Sequence, residues 1–166
     1  GLIGEYDTPG GKANLVLKDY YSEEDLYLGN FAIENVTPSG TTQPKYNIDV
    51  NSFALDTLEL NGNLSANWLV GYNTPSATDD DFELAGAATL ENTSSLDAYN
   101  GNISMPILIS TGCDYGFVSG IMGLTPTDAA LPTVELDFLD GDCANLFKAT
   151  IDCEGNAFSF NLPIKK

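Results

Sequence analysis

The chain has 166 residues, 43% of them hydrophobic, and 24 acidic against 6 basic side chains give a net charge of −18. It has no His and no Arg, the six bases being Lys12, Lys18, Lys45, Lys148, Lys165 and Lys166. Ser-His-Asp, Cys-His and His-zinc chemistries are thereby excluded, and so is nucleic acid as a partner, since binding it needs the opposite sign of charge.

From Tyr46 to Phe147 there is no basic residue, yet that stretch holds 15 carboxylates. They cannot neutralise one another and must be solvated, metal-bound or matched to a cationic partner. An anionic membrane surface repels such a chain, and no apolar stretch reaches the roughly 20 residues of a spanning helix. The length fits one domain over 1–166 with its own core. Beginning at Gly1 without Met or a signal peptide, the sequence reads as a processed or trimmed form. Its ends are expected to be pinned into a sheet or an assembly.

Taken in chain order, the elements are strands. Stretches near 13–18, 26–36, 46–50, 53–60 and 63–70 have strand composition, and Phe82 and Leu84 begin another. Ile103, Met105, Ile107 and Ile109 form an alternating stripe, followed by a candidate at 115–122. Val134, Leu136 and Phe138 alternate with Glu135 and Asp137, a further candidate lies near 145–152, and Phe158, Phe160, Leu162 and Ile164 alternate with Ser159, Asn161 and Pro163. Period-two patterns of this kind put one set of side chains on a core and the other in solvent. Only Ser22–Asp25 and the stretch between Pro126 and Pro132 leave room for a short helical turn.

Turn signals separate these stretches. Asn61-Gly62 and Asn100-Gly101 read as type I′ hairpin turns. Asp140-Gly141 and Glu154-Gly155 divide the C-terminal third into a three-stranded meander of about 132–139, 142–153 and 156–164. The fold expected is an all-β, single-domain antiparallel sandwich of jelly-roll or Greek-key type with about ten short strands. A closed calycin-like barrel is the alternative. The Gly-x-Trp pattern of lipocalins is absent, with Gly4-Glu5-Tyr6 standing in the comparable place.

Cys113, Cys143 and Cys153 are an odd set without a Cys-x-x-Cys pair, which gives no support to a zinc ribbon or a thioredoxin-like site. If 142–153 is one strand, Cys143 and Cys153 stand roughly 33 Å apart along it, far beyond the about 7 Å that a disulfide spans between Cα atoms. Cys113 is therefore expected to bond one of the other two and leave one thiol free. The alternative is three reduced cysteines in the core.

Two acidic clusters are candidate calcium sites, because calcium takes oxygen ligands and this chain offers little else. One is Asp79, Asp80 and Asp81 with Glu83, in a loop before a strand; the other is Asp137, Asp140 and Asp142 around the Asp140-Gly141 turn. Neither follows the twelve-residue EF-hand pattern, and both also read as solvated turns. No cofactor is required. Paired carboxylates are the one enzymatic device left, and no spacing singles out a pair, so the chain is read as not an enzyme.

Tyr20, Tyr21 and Trp68 are candidate stacking platforms for sugar, with strand packing as the competing role. Sequons at Asn35, Asn63, Asn92 and Asn102 are compatible with secretion. Three functions are consistent with these features. First stands an extracellular or cell-surface structural, assembly or adhesion module whose partners are other protein subunits, self-assembly included, or surface glycans. A barrel carrying a small apolar ligand comes second and a carbohydrate-binding sandwich third. For the first, Ala157–Ile164 has the alternation needed to add a strand to a neighbour. The competing role is an ordinary edge strand blocked by Pro163.

Overall fold

The computed structural model describes residues 8–22, 25–114, 116–139, 143 and 145–164, without side-chain detail at 19–22 and 25–27. Ten strands follow in chain order: β1 (Lys12–Ser22), β2 (Asp25–Asn35), β3 (Lys45–Leu55), β4 (Leu58–Val70), β5 (Asp81–Asn92), β6 (Ala98–Ser110), β7 (Phe117–Pro126), β8 (Thr133–Asp137), β9 (Leu146–Cys153) and β10 (Asn156–Pro163). All ten belong to one antiparallel sheet, and each pairs with its neighbours in sequence. The expected pinning of the chain ends falls on residues 1–7 and 165–166, outside the described residues.

The expected all-β antiparallel architecture of about ten strands holds and is consistent with a sandwich, but β1 to β6 are longer than expected, at 11–13 residues each. The strand order is that of a meander, because every described connection joins adjacent strands with no crossover. β1 and β10 are the two ends of that order, so the sheet is not closed into a barrel.

Register explains why the alternation was legible. Ile33 pairs with Ile48 and Ile48 with Leu64; Tyr46, Ala66, Leu84 and Ile107 form a second row. These rows give the sheet one apolar face. The opposite face carries polar rows, such as Asn61, Thr89, Asn100 and Thr125. A one-residue slip would exchange the two faces, so the pattern itself holds the register.

The core on the apolar face is thin. Among the described residues the buried hydrophobic side chains are Val50, Ala66, Ala88, Ile107 and Ala149, at 4–9% exposure. Three of these are Ala, which removes little apolar area from water and contributes correspondingly little stability.

Two expected turns are instead strand interiors. Asn61-Gly62 lies within β4 and Asn100-Gly101 within β6. Gly62 is there because β4 and β5 approach closely: a Cβ at Gly62 would stand 2.5 Å from the Ala88 Cβ. Asn61 also serves a strand, since its Oδ1 accepts the Ser52 N–H at 2.7 Å. That bond satisfies a bulge in β3, where Ser52 has φ 53° and the pairing shifts between Val50 and Phe53. The expected strands 46–50 and 53–60 are therefore one bulged strand and the start of the next, with a tight turn at Asp56-Thr57 between Leu55 and Leu58.

At Ser22–Asp25, the last residue of β1 pairs with the first of β2, where a helical turn was expected. The C-terminal meander forms as expected. Its second strand starts later, at Leu146, which leaves Cys143 in the preceding connection.

Strand parity sorts the connections to two ends of the sheet. The β2–β3, β4–β5, β6–β7 and β8–β9 connections share one end, and the two-residue turns at Asp56-Thr57 and Glu154-Gly155 lie at the other. Thr111 N–H donates to the Asp80 carbonyl at 2.9 Å and ties two of the longer loops together. At the same end a disulfide joins Cys113 to Cys143, with Cα atoms 5.1 Å apart, and Cys153 is free and exposed. The expected pairing of Cys113 with one of the other two, leaving one thiol free, is what forms.

Candidate functional site

Among the described residues, the C-terminal edge of the sheet has backbone hydrogen-bonding groups with no strand partner. It is built on the β9–β10 hairpin, whose turn is Glu154-Gly155, with φ of 53° and 84°. Positive φ at both central residues is the type I′ signature, matched to the twist of the flanking strands. Gly155 N–H donates to Asp152 Oδ1 at 2.8 Å and fixes the turn. From there β9 and β10 pair without a bulge, from Asn156–Cys153 to Pro163–Leu146.

That regularity decides which backbone groups are free. In a two-residue hairpin the closing pair, Cys153–Asn156, exchanges both of its hydrogen bonds, and pairs alternate thereafter. Phe158, Phe160 and Leu162 then bond inward to β9. Ile164 N–H, on the same parity, donates to the Asn145 carbonyl at 2.8 Å. Ala157, Ser159 and Asn161 consequently aim their N–H and C=O groups away from β9. No described strand lies on that side.

Side chains on this edge are as open as the backbone. All eight residues of β10 are exposed. Phe158, Phe160 and Leu162 are 54%, 50% and 42% exposed, although they extend the apolar rows of Ile151, Ala149 and Phe147. Ser159 Oγ lies 3.0 Å from Thr150 Oγ1 on the polar face, a contact that helps hold β10 on β9.

The other edge is defended. β1 carries Lys12 and Lys18, its pairing with β2 shifts between Leu17 and Tyr20, and Lys12 Nζ meets Glu34 Oε1 at 3.3 Å. Lysines and bulges are the usual means of keeping an edge from pairing. Between Asn156 and Pro163 there is no charged residue at all.

The residues singled out in the sequence are dispersed. Asp80 is 8% exposed and accepts the Trp68 indole N–H at 3.2 Å. Asp79 accepts from Thr74 Oγ1 at 3.0 Å, and Glu83 accepts from Asn67 Nδ2 at 3.0 Å. Asp81 opens β5. Asp137 accepts the Leu139 N–H at 2.9 Å as a local turn bond, while Asp140 and Asp142 lie outside the described residues. Among the described residues no three metal-ligating side chains gather into a group. Tyr20 and Tyr21 stand in β1, with side chains outside the description. Trp68 stacks on Phe82, ring centres 5.3 Å apart, so one of its faces is occupied.

The sequon at Asn35 is built into the fold. Asn35 is 3% exposed, and its Oδ1 accepts from both the backbone N–H and the hydroxyl of Thr37.

Each face of the sheet also carries a shallow groove. On the polar face one of about 630 Å³ is lined by Asp49, Asn51, Asn61, Asn63, Thr89 and Asn100 over a floor that includes Gly62 and Gly101. On the apolar face one of about 360 Å³ runs from Ala13 and Ile33 past Trp68 and Phe82 to Ile109. Six strands laid flat would spread these last residues over roughly 24 Å, so sharing one groove requires the sheet to curl toward its apolar side. A disulfide, with no helix long and apolar enough to cross a membrane among the described residues, is compatible with an extracellular location. Comparison with protein-family models, with curated proteins and with solved structures found no match.

Proposed function

We propose that the chain is an extracellular, non-catalytic assembly module that joins another subunit by extending its sheet at β10. The observation that carries this reading is the bare edge: eight exposed, uncharged residues with alternate N–H and C=O groups directed outward. Strand addition uses those main-chain groups for affinity and the alternate side chains for specificity. The half-exposed Phe158, Phe160 and Leu162 supply the apolar component. The disulfide and the strong acidity support the extracellular part of this reading, since disulfides persist in oxidising compartments and net charge keeps chains apart.

Asn161→Pro tests this directly. Asn161 N–H points away from β9, so its removal leaves the hairpin intact and blocks the outer edge. Light scattering across concentration is expected to show association by the unaltered chain, weakened at least tenfold in Asn161→Pro. A monomer at every concentration would overturn self-assembly. Equal association by the proline variant would place the contact elsewhere.

The apolar groove supports a second reading, the carriage of a small apolar ligand. Its lining from Ala13 to Ile109 is almost wholly apolar, which is how small-molecule sites are commonly built. Titration with a fluorescent fatty acid checks this reading. Saturable one-to-one binding, lost in Ala66→Trp, is the expected result.

A further inference from the structure

We infer that the partner at β10 is a second copy of this chain, paired antiparallel about a two-fold axis through Ser159. This inference rests on the strand-addition reading above and names its occupant, symmetry and register.

The spacing of the free backbone groups is self-complementary. Only Ala157, Ser159 and Asn161 offer an outward N–H, since Pro163 has none. Antiparallel pairing centred on Ser159 sets Ser159 against its own copy, and Ala157 against Asn161 of the second copy in both directions. Every outward N–H then finds a carbonyl. Pro163 falls opposite the Gly155 turn, past the end of the ladder, where its missing N–H costs nothing. A shift of the register one way brings Pro163 into the ladder as a missing donor, and a shift the other way brings in the turn. The register centred on Ser159 avoids both.

Side chains agree with this register. It places Phe158 opposite Phe160 of the second copy, twice by symmetry, on the apolar face where both are half exposed. Aromatic cross-strand pairs are among the stabilising contacts of antiparallel sheets. A two-fold axis perpendicular to the sheet keeps both apolar faces on the same side, so the two cores become continuous.

Charge opposes a second copy over most of the surface and least at this place. Two chains of net charge −18 repel each other over most of their surfaces. β10 is uncharged, and β9 one strand behind it carries charges of both signs. Asp152 pairs with Ala157 and Lys148 with Asn161. In the inferred register Asp152 shares a row with Lys148 of the second copy, roughly 14 Å away across three strand spacings, too far for a strong attraction but free of like-charge contact. Raising the ionic strength screens the net repulsion more than it weakens the hydrogen-bonded edge, so the dimer is expected to tighten with salt.

The test combines mass and proximity in a Cys153→Ser background, which removes the exposed thiol. Ser159→Cys is oxidised under mild conditions, with Thr150→Cys as control. Thr150 lies one strand further in on the same row, which puts the two copies of it roughly 14 Å apart and beyond disulfide reach. The expected result is twice the 17.7 kDa chain mass by light scattering of the background chain, with covalent dimers at position 159 and none at 150. Dimers or open-ended assemblies without a 159 cross-link would leave sheet extension standing and overturn the two-fold pairing. A monomer at all concentrations, with no cross-link, would overturn both.

Discussion

Replacing Cys113 and Cys143 together by Ser is expected to lower the unfolding free energy by about 3.5 kcal/mol, the loop-closure value for a bridge of this span. The two residues are 30 apart in sequence, and the loop they close contains β7 and β8 whole. β8 is the shortest strand, Thr133–Asp137, and the pairing on either side of it comprises only four and five residue pairs. A cross-link that shortens the unfolded loop holds this narrow waist in register while β9 and β10 dock. Phe138 stacks on Phe117 at 4.8 Å and contacts Phe147 at 6.1 Å, so the covalent tie and the ring cluster secure the same corner. Chemical denaturation of the double variant beside the oxidised chain checks the value. A loss below about 1 kcal/mol would show that the β7–β8 segment is held by packing alone.

Gly120→Ala is expected to cost about 3 kcal/mol, from backbone strain and overpacking together. Gly120 is buried in β7 at φ 123°, where an L side chain is strained. A Cβ there would stand 2.6 Å from the Ile107 Cα and 2.7 Å from the Pro106 carbonyl oxygen. Both obstacles are backbone and cannot rotate away. Pro106 also explains the site. A proline in a central strand is tolerated only at a bulge, and the β6–β7 register shifts between Met105 and Leu108 around it. Gly120 is the residue that lets β7 approach that bulge. Thermal denaturation is the measurement. An Ala variant as stable as the parent would mean that the two strands do not meet as described.

Legibility from the sequence divided along physical lines. Strand existence was readable because the sheet has one apolar face, so pairs such as Val134 and Leu136 write the pleat into the sequence. The Glu154-Gly155 turn was readable because both residues serve a local need. Asn61-Gly62 misled because the same dipeptide answers a tertiary need: Gly62 makes room for Ala88, and Asn61 satisfies a bulge one strand away. The true turn at Asp56-Thr57 was hidden between Leu55 and Leu58, which keep the apolar pattern running through it. Cysteine pairing was readable in part, since extended-chain distance separates Cys143 from Cys153. The choice between them needed the loop geometry at one end of the sheet.

The site divided similarly. The alternation of Ala157–Ile164 marked an edge capable of strand addition, and its composition showed the absence of charge. Which N–H groups face outward was not readable, because that parity is set by the turn residue count and an unbroken β9–β10 register. The acidic clusters drew notice in the sequence because adjacent carboxylates look convergent. In the fold Asp79, Asp80 and Glu83 each accept from a different donor on the chain.

Backbone amide exchange across β10, followed at rising protein concentration, tests the association edge most directly. In the isolated chain Phe158, Phe160 and Leu162 are expected to exchange slowly, being bonded to β9, and Ala157, Ser159 and Asn161 quickly. Where light scattering reports complexes, Ser159 and Asn161 are expected to slow at least tenfold, as their N–H groups pair across the new boundary. If they stay fast in the associated state, β10 is not where this chain meets its partner.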